Sequence, residues 1–295
     1  MHTEVIEHGS LRLGLSRAGD PSKPGLVLLH GWPHSKELYE LVLEELGAEH
    51  FALAFDLPAI GDSRGAPRSA EKTELADVLL GASERLGAKS IVVAGLDVGG
   101  MIAYAAARDH GRRISGAIVM NTVLPGIEPW SKVIADPRIW HFAFHAVPAL
   151  PELLVRSHER AYFDFFTDFL AGRKDAVGER QRITFAKAYE RPEALKMGFD
   201  WYRALEADAR HNRRPKEIQT PLLYVRGDAD GRSPEDYVKG LQEAGARRVT
   251  GEVLRESGEF APLEVPQAFV RVVAGFAEEC RGGKRARSAS QSAAG

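Results

Sequence analysis

The stretch Ser90-Ile91-Val92-Val93-Ala94-Gly95-Leu96-Asp97-Val98-Gly99-Gly100 decides the fold. Residues 90–94 are a short apolar run rich in β-branched side chains, the pattern of a strand buried on both faces. Residues 99–108 are mostly small and read as a helix. Between them Asp97 sits in a small-x-acid-x-small spacing, which reads as a nucleophile elbow with Asp in the usual place of Ser. Glycines belong there because a sharp strand-to-helix turn brings two backbones close together. Asp97 is then expected at a helix N-terminus, where the macrodipole favours its anion. An ordinary N-cap Asp on a glycine-rich turn fits the same residues, so the surroundings must decide.

Working outward, residues 25–29, 51–55, 114–120, 221–225 and 248–254 read as further strands. Helical spacing over 35–46, 71–86, 234–244 and 265–278 separates them. Strands alternating with helices imply an α/β protein whose mostly parallel sheet is covered on both faces. From about Pro125 to Pro215 the chain is rich in aromatics and proline and shows no strand. That stretch reads as a helical insertion, and most of its aromatics as that insertion's own core. The expected organisation is a core over 1–124 and 216–280, a helical cap over 125–215, and a tail over 281–295. The tail (RGGKRARSASQSAAG) is of low complexity and is expected to be disordered.

Charge and cysteine content exclude several partners. The 295 residues hold 39 Lys+Arg and 41 Asp+Glu, a net −2. Arg281, Lys284, Arg285 and Arg287 lie in the acid-free tail, so the first 280 residues carry −6. An acidic body argues against nucleic acid, which needs a basic face. Hydrophobic content of 44% and charged content of 27% are those of a soluble globular protein. One cysteine, Cys280, excludes an internal disulfide, and no metal-ligand spacing is present. No apolar stretch suggests a signal peptide or a membrane span. The expectation is a cytoplasmic protein with no membrane partner, and a homodimer is left open.

Two further motifs follow strands: His30-Gly31-Trp32-Pro33, and Asp56-Leu57-Pro58-Ala59-Ile60-Gly61-Asp62-Ser63. Together with the elbow they resemble the alpha/beta-hydrolase superfamily, specifically its epoxide hydrolase and dehalogenase branch. Trp140-His141-Phe142-Ala143-Phe144-His145, Leu150-Pro151-Glu152, Glu159-Arg160-Ala161-Tyr162 and Asp200-Trp201-Tyr202-Arg203-Ala204 are similar to the cap of bacterial epoxide hydrolases. The resemblance covers roughly residues 5–278 and implies an alpha/beta-hydrolase fold with an inserted helical cap. It implies that Asp97 attacks carbon to form an alkyl-enzyme ester. The N–H groups of Trp32 and Val98 would form the oxyanion hole, and His141 and Tyr202 would hold the epoxide oxygen. His30, Trp140 and Trp201 would line the substrate site. No cofactor or metal is implied, because the strained ring supplies its own leaving group. Val98 stands where haloalkane dehalogenases place Trp and fluoroacetate dehalogenases place Arg, which favours the epoxide reading.

The family pattern breaks at the hydrolytic base. The usual Gly-His-Phe is Gly258-Glu259-Phe260, and all ten His residues lie at or before His211. The position of the supporting acid after the sixth strand is Asn121, while other branches keep an acid after the seventh, where Asp230 stands. An imidazolium wants a carboxylate behind it, whereas a carboxylate wants a donor such as an Asn amide. The two changes therefore read as one reworked relay, with Glu259 and Asp97 sharing a proton. The expected activity is opening of a bulky apolar epoxide, polycyclic natural products included, in bacterial specialised metabolism such as antibiotic biosynthesis. A non-hydrolytic cyclase or coupling enzyme using Asp97 and Glu259 as acid and base is one alternative. A catalytically inactive ligand-binding homologue is the other.

Overall fold

The computed structural model describes residues 1–292, with side chains through residue 282, so the tail expected over 281–295 lies almost wholly outside the residues described in full. One sheet runs through the molecule. Its strands are β1 (His2–His8), β2 (Leu11–Ala18), β3 (Pro24–Leu29), β4 (Phe51–Phe55), β5 (Lys89–Leu96), β6 (Ile114–Met120), β7 (Leu222–Gly227) and β8 (Val249–Leu254). Their order is β1-β2-β4-β3-β5-β6-β7-β8. β1 and β2 pair antiparallel with their neighbours, and β3 to β8 are parallel.

β4 (FALAF) and β6 (ISGAIVM) are buried at every position, which is why they appear as unbroken small and apolar runs. Alternate side chains divide between the two faces. Val27 and Leu29 join a core with Leu75, Leu79 and Ile102, whereas Leu26 and Leu28 join one with Leu43, Phe269 and Val273. Helices Lys72–Arg85 and Val98–Asp109 therefore cover one face, and Leu43–Gly47 and Pro266–Ser292 the other.

Two features depart from the sequence reading. The β1–β2 hairpin escaped it because β1 (HTEVIEH) alternates polar and exposed positions, and β2 signals itself only through Leu11, Leu13 and Leu15 at period two. The helix expected over 35–46 is instead a 3-10 turn, Lys36–Tyr39, followed by the short helix Leu43–Gly47. An ionic anchor explains the break: the Lys36 amide and ammonium each donate to Asp56 at 2.9 Å, and the ammonium reaches Asp62 at 2.7 Å. These buried bonds tie the segment to the 56–63 turn in place of its own helical ladder.

Between β6 and β7 the chain runs through helices that include Trp140–Ala146, Glu159–Leu170, Pro192–Arg203 and Leu205–Asn212. Phe163, Phe166, Phe199 and Trp201 from these helices belong to the same apolar core as Val27 and Val93 of the sheet. One polar clamp holds the insertion down. Lys72, 3% exposed, donates its amide to Asp208 at 3.0 Å, and its ammonium reaches the other Asp208 oxygen at 2.9 Å. The same ammonium donates to the Trp201 carbonyl at 2.5 Å. Lys72→Met leaves Asp208 as an unpaired buried anion, so it is expected to destabilise by about 3–5 kcal/mol in urea unfolding. Among the described residues no helix is long and apolar enough to cross a membrane.

Candidate active site

Asp97 closes β5 and opens the helix Val98–Asp109 with φ 52° and ψ −120°, a strained backbone for a residue with a side chain. The turn is tight enough that a Cβ at residue 95 would lie 1.9 Å from the Gly99 carbonyl oxygen. The neighbouring strand is as close: a Cβ at residue 31 would sit 2.4 Å from the Asp97 Cβ. This proximity lets the Trp32 amide donate to Asp97 Oδ2 at 2.8 Å, and the adjoining Val98 amide also favours the carboxylate form. Burial pushes the Asp97 carboxyl up to about 6, and these two amides and the Lys72 charge oppose it. One carboxylate oxygen is thus anchored as an anion is anchored.

His30 builds this corner. The Leu57 amide donates to its Nε2 at 3.0 Å, which makes Nδ1 the protonated nitrogen, and Nδ1 donates to the Gly31 carbonyl at 2.8 Å. Burial holds His30 down to about 4, so the ring is neutral near pH 7. Both nitrogens are committed to backbone, so His30 shapes the turn that presents Trp32.

Above Asp97 the cap supplies an aromatic box around the Trp32 ring. His141 stacks on it at 6.3 Å between ring centres, Tyr202 meets it edge-on at 6.0 Å, and His145 at 4.6 Å. Burial pushes His141 down to about 4, and its Nδ1 is buried with no partner among the described residues. Burial first, then the Asp97 charge, raises the Tyr202 phenol well above its usual 10, and Glu259 adds to this. Both groups are therefore neutral donors in a dry box.

Glu259 lies on the loop after β8, with its amide donating to the Leu170 carbonyl at 3.0 Å. Its Oε1 is buried without a partner among the described residues. Burial, then the Asp97 charge, raises its carboxyl well above 4.5, against the opposing pull of Arg226. Asn121, at φ 48°, holds the loop in place: its Oδ1 accepts from the Gly227 amide and its Nδ2 donates to the Gly258 carbonyl, both at 2.8 Å. Glu264, 1% exposed, accepts from the amides of Gly258, Phe260 and Arg173 at 2.8–2.9 Å. These bonds fix the loop that carries Glu259.

A model of the alpha/beta hydrolase family matches residues 26–272. The chain belongs to that family. The soluble epoxide hydrolase of Corynebacterium sp. (strain C12) is 25% identical to this hydrolase over 281 residues, covering 92% of this chain and 96% of the relative. The pimeloyl-(acyl-carrier protein) methyl ester esterase of Nitrosospira multiformis is 28% identical over 215 residues, 70% of this chain and 77% of its own. Among solved structures, Cfl2 from Burkholderia cenocepacia matches with a TM-score of 0.85 at 28% identity, over 93% of this chain and 95% of that one. An epoxide hydrolase and an ester esterase both stand at this distance, so the reaction must be argued from the residues.

The hydrolase brings Asp97, Trp32, Val98, His141, Tyr202 and Glu259 to one region and leaves other expected residues outside it. Trp140 is 44% exposed and packs on Phe144, Phe165 and Phe166, because its neighbour His141 takes the inward face of the helix. Trp201 is fully buried against His30, one helical step round from Tyr202. Asp230 is held by Arg226 through Nε and Nη2, so it does not back Glu259. Asn121 differs from expectation too: its amide bonds the Gly258 backbone, because Gly227 has already fixed which way the amide points. The sequence reading missed His145, whose ring lies 4.4 Å from Tyr202 and whose Nε2 is 2.7 Å from the Tyr162 hydroxyl. Its spacing of four from His141 on one helix face was the available signal.

Proposed function

We propose that this hydrolase opens an epoxide on an apolar substrate, with Asp97 as nucleophile and Glu259 moving the proton. The carrying observation is the unequal setting of two interacting carboxyls: Asp97 accepts the Trp32 amide and is raised only to about 6, whereas burial and the Asp97 charge push Glu259 well above 4.5. The free Asp97 oxygen attacks an epoxide carbon, the ring C–O bond breaks, and its electron pair stays on oxygen. That alkoxide meets Tyr202 and His141, the donors of the box. It takes a proton from Tyr202, which Glu259 restores. Ester formation erases the Asp97 charge, the second-largest cause after burial that raises the Glu259 carboxyl, so Glu259 gives up its proton more readily at that moment. It then draws a proton from water as the water attacks the ester carbonyl. The carbonyl oxygen gains charge against the Trp32 and Val98 amides; as the tetrahedral intermediate collapses, its new hydroxyl passes its proton to the departing alkoxide, so the diol leaves with Asp97 again a carboxylate and Glu259 again an acid.

Isotope labelling tests this order. A single turnover of a simple aryl epoxide in H₂¹⁸O should place the label in Asp97 itself, because the second diol oxygen comes from the carboxylate. Label found directly in the diol would mean that water, not Asp97, attacked carbon. Label in neither would favour the cyclase or coupling reading, in which a group of the substrate opens the ring. Tyr202→Phe removes one of two donors and should reduce kcat/KM by about 3 kcal/mol of transition-state stabilisation. Unchanged single-turnover rates would return Tyr202 to the cap core.

A further inference from the structure

Glu259 also lines a cavity of about 300 Å³ whose other walls include Arg138, Arg226, Arg232, Asp230 and Phe169. Arg226, 7% exposed, is fully engaged there: it holds Asp230, donates to the Tyr224 hydroxyl at 3.2 Å, and lies 4.8 Å from the centre of the Tyr237 ring. Arg138 and Arg232 are not. Each donates Nη2 to the same oxygen of Asp136 at 2.7 Å, so two guanidiniums share one carboxylate. The Arg232 amide also reaches Asp230, already neutralised by Arg226, at 3.0 Å. Neither Nη1 group of this pair donates to anything among the described residues.

Three arginines against Asp136 and Asp230 leave one positive charge uncompensated at the cavity wall. Glu259 does not cancel it while it keeps its proton, and its buried Oε1 has no partner among the described residues. The remaining lining includes Ile139 and Leu170, both apolar. An occupant that satisfies all of this is monoanionic, accepts hydrogen bonds through two oxygens, and carries an apolar body. A carboxylate fits, because its planar pair of oxygens matches two guanidinium donors and its single charge matches the single excess. A phosphate dianion would leave a negative charge over.

We propose that this cavity recognises the carboxylate end of an acidic, otherwise apolar substrate, gripped by Arg138 and Arg232 against the Glu259 wall. The inference rests on the epoxide-opening reading for what the bound molecule then undergoes, but not for the binding itself. Glu259 lines this cavity beside Arg226, so the recognition site borders the group proposed to move the proton.

Titration calorimetry on the full chain with decanoate and its methyl ester tests the site without requiring turnover. Wild type should bind decanoate about tenfold or more tighter than the ester, the scale of one or two added charged hydrogen bonds. The gap should shrink with added salt. It should close in Arg138→Met/Arg232→Met and persist in part in Arg138→Lys/Arg232→Lys, which keeps the charge but loses the fork. If the methionine pair does not fold, Arg138→Met alone carries the test, since that side chain is 58% exposed. Equal affinity for acid and ester in wild type would overturn the proposal, as would a gap that survives the loss of both guanidiniums. Epoxide turnover with no preference for acids would sink this site alone. Decanoate binding in a protein that opens no epoxide would sink the proposed reaction and leave the site standing.

Discussion

Asp97→Asn is expected to lower turnover by about 10⁴-fold or more on every substrate, the scale seen when a covalent nucleophile is removed. The same change should raise thermal stability at pH 8. The Asp97 carboxyl is about 6 in the folded protein against an ordinary 3.8, so burying its charge costs stability, fully so above about pH 6. Below the unfolded value both states hold the proton and the cost vanishes. Asparagine keeps an oxygen for the Trp32 amide and carries no charge at any pH. The stabilisation should therefore be largest in alkaline buffer and fade as the pH is lowered toward 4, read as the difference in Tm between variant and wild type. Retained turnover would overturn the central role of Asp97. A variant equally inactive and less stable at pH 8 would show instead that the carboxylate is a structural anchor. If Asp97 is the nucleophile, the strain at φ 52° and the buried charge are what its position costs in stability.

The sequence made legible whatever depends on short-range pattern. The strand-to-helix turn at residues 95–100 was readable because its glycines stand between a buried strand and a small-residue helix, while the role of Asp97 needed the motifs at 30–33 and 56–63. The parallel strands β3 to β7 were readable because burial of their central residues on both faces leaves no room for polar alternation, whereas β8 is exposed over residues 250–253. The β1–β2 hairpin was not, since an edge ribbon with one wet face carries only a weak period of two. Side-chain direction was the larger blind spot. Trp140 and His141 are adjacent in sequence, and only the packing of their helix decides that the histidine turns inward and the tryptophan outward. Asn121 was found by position, but its bonds to Gly227 and Gly258 join residues more than 100 apart in the chain, which no local pattern encodes. The same holds for Arg138 and Arg232, which meet only through Asp136.

Glu259→Gln should slow turnover by about 10²–10⁴-fold, the usual share of a positioned acid–base group, while leaving ligand affinity near wild type. The pH profile is the sharper readout. Wild-type kcat/KM should rise as Asp97 ionises near pH 6 and fall at higher pH as Glu259 loses its proton, the two limbs belonging to the pair. Glutamine cannot titrate, so the alkaline limb should disappear and the acid limb remain. An unaltered rate and an unaltered profile would make Glu259 a bystander. Rebuilding the more usual relay tests the same point from the other side. Asn121→Asp alone replaces the donor that faces the Gly258 carbonyl with an acceptor, so it should destabilise by about 1–3 kcal/mol. Paired with Glu259→His, the new carboxylate gains an imidazole N–H beside it, and much of that loss should return. A neutral histidine near pH 7 can deprotonate water without waiting for the Asp97 charge to vanish. The double variant should therefore hydrolyse simple epoxides faster than wild type and show no alkaline limb. If the native reaction instead joins a substrate group to the epoxide, the same double variant should divert it toward diol, because the ester then meets an activated water before any internal nucleophile.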